Sequence, residues 1–182
     1  MNPEEGIIME NTKESIGIFI GRMQPPTVMH QKIINDLKYD KIYVIIVEGA
    51  GSSHEKKNFL SFDDRVKTLK VTNPKVKAIH STTGYIPDII ENNKMNQDND
   101  DIYIVAGSDR IDGYMKQFKD VPYKVFKHEI PRQPEDVSAT KVRTALMAGD
   151  FASYKRMIAK GLDNEKWFSI LRKKLMERYN EI

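Results

Sequence analysis

The chain has 182 residues, 40% of them hydrophobic, and a net charge of +3 from 29 basic and 26 acidic side chains. It contains no cysteine, which excludes disulfides, thiolate metal sites and a cysteine nucleophile, and fits a reducing, cytoplasmic setting. No stretch approaches the roughly 18 apolar residues of a membrane span, and apart from Arg172-Lys173-Lys174 the basic residues are interspersed with acidic ones, so neither a membrane nor a nucleic-acid partner is indicated. The size suits one domain with a sizeable core. Residues 1–15 are polar and acidic rather than a charged-then-apolar leader, and read as an N-terminal tail before a domain over 16–182.

In chain order, Ile16, Ile18, Phe19 and Ile20 form a short apolar run ending at Gly21, which predicts a first strand. Pro25-Pro26 stiffen the crossing that follows. Thr27 is a natural N-cap, and Met29, Ile33, Ile34 and Leu37 then share one helical face. Lys41 to Val47 (KIYVIIV) is a second, central strand. It runs into EGAGSSHEKKN, a polar loop too long for a tight connection. Ser61 caps a helix with Asp63 and Asp64 in its first turn and Phe62, Val66 and Leu69 on its face. Asn73-Pro74 stops it, and Val76 to His80 is a third strand.

After STTGYIPDII, the polar stretch ENNKMNQDNDD reads as a mobile surface loop. Ile102 to Ala106 is a fourth strand, ending in Gly107-Ser108-Asp109 before a helix with Ile111, Met115 and Phe118 inward. Tyr123 to Phe126 is a short fifth strand, and HEIPRQPEDV a loop. SATKVRTALMAGD begins another helix, ended by Gly149. Two more follow, lined by Phe151, Tyr154, Met157 and Ile158, then by Trp167, Ile170, Leu171 and Leu175. Alternating strands and helices predict an α/β fold, a parallel five-stranded sheet with helices on both faces and a helical C-terminal cap.

Three polar clusters fall just past predicted strand ends, where such a sheet places its ligand. They are Arg22, Thr27 and His30; His54, Lys56 and Lys57; and Ser138, Thr140, Lys141 and Arg143. Two of them open helices, and free N–H groups at a helix start suit phosphate. Each cluster alone has a bland reading as a capped helix or a solvated loop. Their occurrence together in this order points to a polyphosphate cradle.

GRMQPPTVMH resembles the opening signature of the nucleotidyltransferase superfamily of Rossmann-like α/β enzymes, most closely the archaeal-type nicotinamide mononucleotide adenylyltransferases. The likeness continues through GSSHEKKNFLSFDDR, Ile86-Pro87-Asp88, the strand ending in AGSD, and VSATKVRTALMAGDF. The form with PPT is also similar to transferases of tailed phages. The resemblance implies that Arg22, Met23, Thr27 and His30 bind the nucleotide, with His30 catalytic. It implies a second phosphate grip from Ser138, Thr140 and Arg143, with Arg143 also catalytic, and a turn at Gly107 to Asp109 near base and ribose. Ser53 and Lys57 would hold the acceptor, Lys57 through its phosphate.

The chain departs from that pattern at Thr27, in place of a histidine, and at Met29 and Ala139, each in place of a glycine. Met29 would either block the nucleotide, pack against its base, or turn into the core. The tryptophan expected to stack on nicotinamide has no counterpart, its place falling near Met95 in the polar stretch; Trp167 is expected in the helical cap. The implied reaction joins ATP, or another nucleoside triphosphate, to a small phosphorylated acceptor, best nicotinamide mononucleotide, releasing pyrophosphate. Mg²⁺ would be held mainly through the phosphates, with no protein metal site. The alternatives are cytidylyl transfer from CTP to a phosphorylated alcohol, and a degenerate nucleotide-binding or structural protein. A homo-oligomer is left open.

Overall fold

The computed structural model describes residues 13–48, 58–95, 100–131 and 137–180. Five strands form one sheet: β1 (Ser15–Gly21), β2 (Lys41–Val47), β3 (Lys77–Ser81), β4 (Asp101–Gly107) and β5 (Val125–Ile130). Their order is β3-β2-β1-β4-β5 and every pairing is parallel. The chain builds outward from β1 through β2 to β3, then returns to lay β4 on the other side of β1. This reversal opens a crevice between the carboxyl ends of β1 and β4.

The helices are α1 (Val28–Asp36), α2 (Phe62–Thr72), α3 (Ile86–Asn92), α4 (Ile111–Lys116), α5 (Ala139–Ala148), α6 (Phe151–Met157) and α7 (Glu165–Asn180). Period-two alternation in β1 sorts its side chains between two cores. Ile16, Ile18 and Ile20 pack with Ile86, Ile89 and Ile90 of α3 and Ile111 of α4. Phe19 packs on the opposite face with Ile34 and Leu37, at the end of α1, and Leu69 of α2. Both faces of the sheet are therefore covered, which explains why Val44, Ile45 and Ile46 of β2 are all buried in succession. A third cluster joins Val142, Leu146, Tyr154, Leu171 and Leu175 of α5–α7 to Phe59 and Leu60. It is the helical cap, and Trp167 packs against it as expected.

Four expectations need correction. α3 begins inside STTGYIPDII and takes Glu91 and Asn92 from the stretch read as a surface loop. Polar residues mask it in sequence, but Pro87 is accommodated in its first turn, and Ile86, Ile89 and Ile90 anchor it to the sheet. Met95 is also buried in that core, at 2% exposure, rather than lying in a polar loop. β5 runs to Ile130, so His128 and Glu129 belong to a strand paired with β4 and not to a loop; the pairing supplies a register that the charged sequence does not advertise. β3 is likewise shifted by one residue, to end at Ser81. Among the described residues no helix is long and apolar enough to cross a membrane.

Candidate active site

At the end of β1 the chain crosses to α1 through Arg22 to Pro26. Met23 adopts a positive φ of 52° and the Gln24–Pro25 bond is cis. The Met23 side chain is buried in the core at 1% exposure, so only its backbone remains to face a ligand. Gln24 is buried as well, and its amide binds the Leu60 backbone in both directions. Nε2 donates to the Leu60 carbonyl at 2.8 Å and Oε1 accepts from the Leu60 N–H at 2.9 Å. The crossing is thereby pinned to the segment ahead of α2.

α1 opens with a reciprocal cap. The Thr27 hydroxyl accepts from the His30 N–H at 3.3 Å, and the Thr27 N–H donates to His30 Nδ1 at 3.1 Å. Nδ1 is therefore an acceptor, so the neutral ring carries its proton on Nε2. Burial pushes the His30 pKa down to about 4, because the imidazolium would lose its hydration. At neutral pH this histidine is an uncharged donor through Nε2–H. Met29, beside it, is half-buried and joins none of the three apolar clusters of the described residues.

α5 presents a second helix start to the same crossing. Ser138 accepts from the Lys141 N–H at 3.1 Å. Arg143 donates through Nη1 to the Gln24 carbonyl at 2.9 Å and through Nη2 to Thr140 Oγ1 at 3.1 Å. A single guanidinium thus ties together two clusters about 120 residues apart in sequence. Burial, the largest cause, and the neighbouring Arg22 both lower the Arg143 pKa, which Tyr179 partly offsets. Arg143 nonetheless stays charged. Arg22 is exposed and adds a second guanidinium to this edge.

Gly107 is the last residue of β4, and Ser108 and Asp109 follow it, exposed, on the other wall of the crevice. A side chain at 107 would crowd Asp109, whose Oδ1 lies 3.0 Å from the place of a Cβ. Ser53 and Lys57, together with His54 and Lys56, lie outside the described residues. The structure thus brings Arg22, Thr27, His30, Ser138, Thr140 and Arg143 to one edge, with Gly107 and Asp109 across from β1. A cleft of about 640 Å³ lined by Ile34, Tyr39, Lys41, Asn73 and Lys77 lies at the amino ends of β2 and β3 and shares no residue with this crevice.

Two features at this edge are missing from the sequence reading. Residues 158–160 dock on the crossing: Thr27 bridges Ile158, Ala159 N–H donates to the Pro26 carbonyl at 3.2 Å, and Gln31 binds Lys160. Nothing local marks that contact. Arg65 is buried beneath the crossing; its signal was a charge on the apolar stripe of α2, three residues after Phe62 and four before Leu69.

A doubly wound parallel sheet whose switch point carries two capped helix starts defines a Rossmann-like α/β protein. Residues 18–145 match the cytidylyltransferase-like family, and the chain belongs to that family, within the nucleotidyltransferase superfamily. Solved structures share the fold at low identity. One is a bifunctional NMN adenylyltransferase/ADP ribose pyrophosphatase from Francisella tularensis, complexed with AMP and an Mn ion, with a TM-score of 0.64 and 20% identity over 92% of this chain and 51% of that one. Another is a Plasmodium falciparum nicotinic acid mononucleotide adenylyltransferase complexed with NaAD, with a TM-score of 0.55 and 18% identity over 92% of this chain and 97% of that one. A putative nicotinate-nucleotide adenylyltransferase from Vibrio parahaemolyticus has a TM-score of 0.58 and 18% identity, with 87% of this chain and 98% of that one covered. The chain spans about half the length of the Francisella protein. No curated protein matches the chain by sequence.

Proposed function

We propose that the chain transfers a nucleoside monophosphate from a nucleoside triphosphate to a phosphorylated acceptor, with ATP and nicotinamide mononucleotide as the leading pair and NAD as product. The observation that carries this reading is the Arg143–Gln24 bond, which holds the starts of α1 and α5 at one crevice. Two helix starts, Arg22, Arg143 and a neutral imidazole donor offer a triphosphate several contacts along its length. The adenylyltransferases among the similar structures favour ATP over CTP.

In this mechanism an ionised oxygen of the acceptor phosphate attacks the α-phosphorus in line. The bond from the α-phosphorus to the bridging oxygen breaks, and its electrons leave with pyrophosphate. The attacking oxygen carries no proton, so the protein needs no general base and no nucleophile. Its contribution is alignment and stabilisation of charge. Nε2–H of His30 would donate to a phosphoryl oxygen, as a neutral imidazole can when its other nitrogen is engaged. Arg143 and the start of α5 would hold the β- and γ-phosphates that become pyrophosphate.

The donor chemistry at this edge suits phosphate, and no described group of three or more acidic or histidine side chains is gathered to hold a metal. Mg²⁺ would arrive on the triphosphate and add neutralisation of charge on the phosphate oxygens. Met95 lies in the core, so nicotinamide would need another platform, and this favours keeping CTP with a phosphorylated alcohol as the second reading. Pairing ATP and CTP with a panel of phosphorylated acceptors and following pyrophosphate separates the two. Release only with ATP and nicotinamide mononucleotide is expected; release only with CTP would overturn the first reading, and no release with any pair would overturn both.

A further inference from the structure

Arg65 is 1% exposed, yet every acceptor around it belongs to the sheet's carboxyl edge or to the segment that follows it. Nε donates to the Ser61 carbonyl at 3.2 Å, and Nη1 donates to the carbonyls of Arg22 at 3.0 Å and Val47 at 3.4 Å. Nη2 reaches Glu48 Oε1 at 3.3 Å. These acceptors come from three separate stretches: the crossing after β1, the end of β2, and the residue capping α2. Burial is the main force lowering the Arg65 pKa, followed by Glu48, which opposes it, and Arg22, which adds to it. A buried guanidinium in that balance is held only by its partners.

The arrangement is braced from two sides. Glu48 Oε1 also lies 3.4 Å from His80 Nε2 on β3, and the His80 ring stacks on Phe62 of α2 at 4.7 Å. The Gln24–Leu60 pair runs alongside, joining the same crossing to the same stretch ahead of α2. Val47 and Glu48 precede residues 49–57, and Ser61 stands shortly after them. Arg65 therefore grips the chain on both sides of that segment and at the crossing at once.

We infer that Arg65 is a positioning residue, whose guanidinium sets the spacing between the crossing after β1, the end of β2 at Val47 and Glu48, and the start of α2 at Ser61. Its planar fork suits this task because it addresses several acceptors in different directions, which a lysine ammonium on a flexible stem does not. The kinetic consequence rests on the proposed transfer reaction, in which Arg22 faces the nucleotide and the resemblance assigns the acceptor to Ser53 and Lys57, between Glu48 and Asn58 in the sequence. The geometric claim does not depend on it.

Hydrogen exchange on the full chain tests the geometry, comparing the wild type with Arg65→Lys and Glu48→Gln. In Arg65→Lys, amides at 20–24 and 58–61 should exchange about tenfold faster while those of α5 to α7 keep wild-type rates. Glu48→Gln should produce the same pattern more weakly. Arg65→Met removes the charge altogether, and if it does not fold the other two variants still decide the matter. Unchanged exchange at 20–24 and 58–61, or uniform acceleration along the chain, would overturn the inference, since uniform acceleration is what a purely stabilising arginine predicts. In turnover assays Arg65→Lys should lower kcat about tenfold and raise the acceptor KM more than the nucleotide KM; equal changes in both KM values would reject the positioning role. If the wild-type protein transfers no nucleotide to any acceptor, the transfer reading falls and the exchange pattern alone judges the clamp.

Discussion

His30 is defined by what its two ring nitrogens do. Nδ1 accepts from the Thr27 N–H, so the ring is a neutral donor through Nε2–H, a form that the positive end of the α1 dipole also favours. Its pKa of about 4 lies below the ordinary 6.5, so between these values the unfolded chain binds a proton that the native ring refuses. Stability from this group is complete above pH 6.5 and is lost as pH falls toward 4. NMR titration of the imidazole should show the low midpoint, and His30→Asn should flatten the fall in unfolding free energy across that window. For activity, His30→Ala should lower kcat on the order of 10²-fold at saturating substrates, the scale of one lost donor to developing charge. Near-normal turnover in steady-state assays would remove His30 from the mechanism.

Between elements, single side chains replace what a longer interface would otherwise do. Gln24 satisfies both backbone groups of Leu60 in a buried setting, so Gln24→Ala leaves a donor and an acceptor unpaired. The expected cost is about 2–4 kcal/mol in denaturant unfolding; a loss below about 0.5 kcal/mol would mean that water replaces the amide. Arg143 has a double task, because the guanidinium offered to phosphate also binds the Gln24 carbonyl. Arg143→Ala should therefore lower turnover about 10²-fold and also cost about 1.5–3 kcal/mol of stability, the scale of a charged hydrogen bond. Arg143→Lys should recover part of the stability and little of the turnover, because lysine lacks the fork. Gly149, at φ 68°, ends α5 in the left-handed conformation that glycine accepts most readily, and α6 follows at once from Asp150.

Over the whole molecule, the helical cap supports the candidate site through its apolar interior as well as through the Arg143 that α5 contributes. It packs α5 against α6 and α7 and places residues 158–160 on the crossing that carries Thr27. Tyr154, fully buried, donates to the Leu162 carbonyl at 2.6 Å, and burial raises its pKa, so this hydroxyl stays neutral within the cap. Leu171→Ala should cost about 2–5 kcal/mol, as for other buried leucines. Trp167 is the single tryptophan and sits in the cap, so its fluorescence reports that region alone. If cap and sheet unfold together, fluorescence and far-ultraviolet circular dichroism should give coincident transitions in both wild type and Leu171→Ala. An earlier fluorescence transition would make the cap a separate cooperative unit.

Local pattern alone determined the strands that are apolar on both faces and the helices with a clear stripe, since burial leaves a period of two or 3.6 in the residues it selects. β1, β2 and β4, Thr27 and Ser138 as caps, and Gly149 as the end of α5 were legible for that reason. The candidate residues near the two helix starts were legible as types, because caps and cations suit phosphate wherever they occur. Tertiary structure decided what periodicity does not encode. It made α3 a helix by burying three isoleucines on the sheet and drew Met95 into the core. It carried β5 on to Ile130 through pairing with β4, and placed residues 158–160 on Thr27. It also desolvated the His30 ring and gave Arg65 its partners. Each of these depends on groups far apart in sequence, and a hydrogen bond or a desolvation acts through distance in space, which the order of residues does not record.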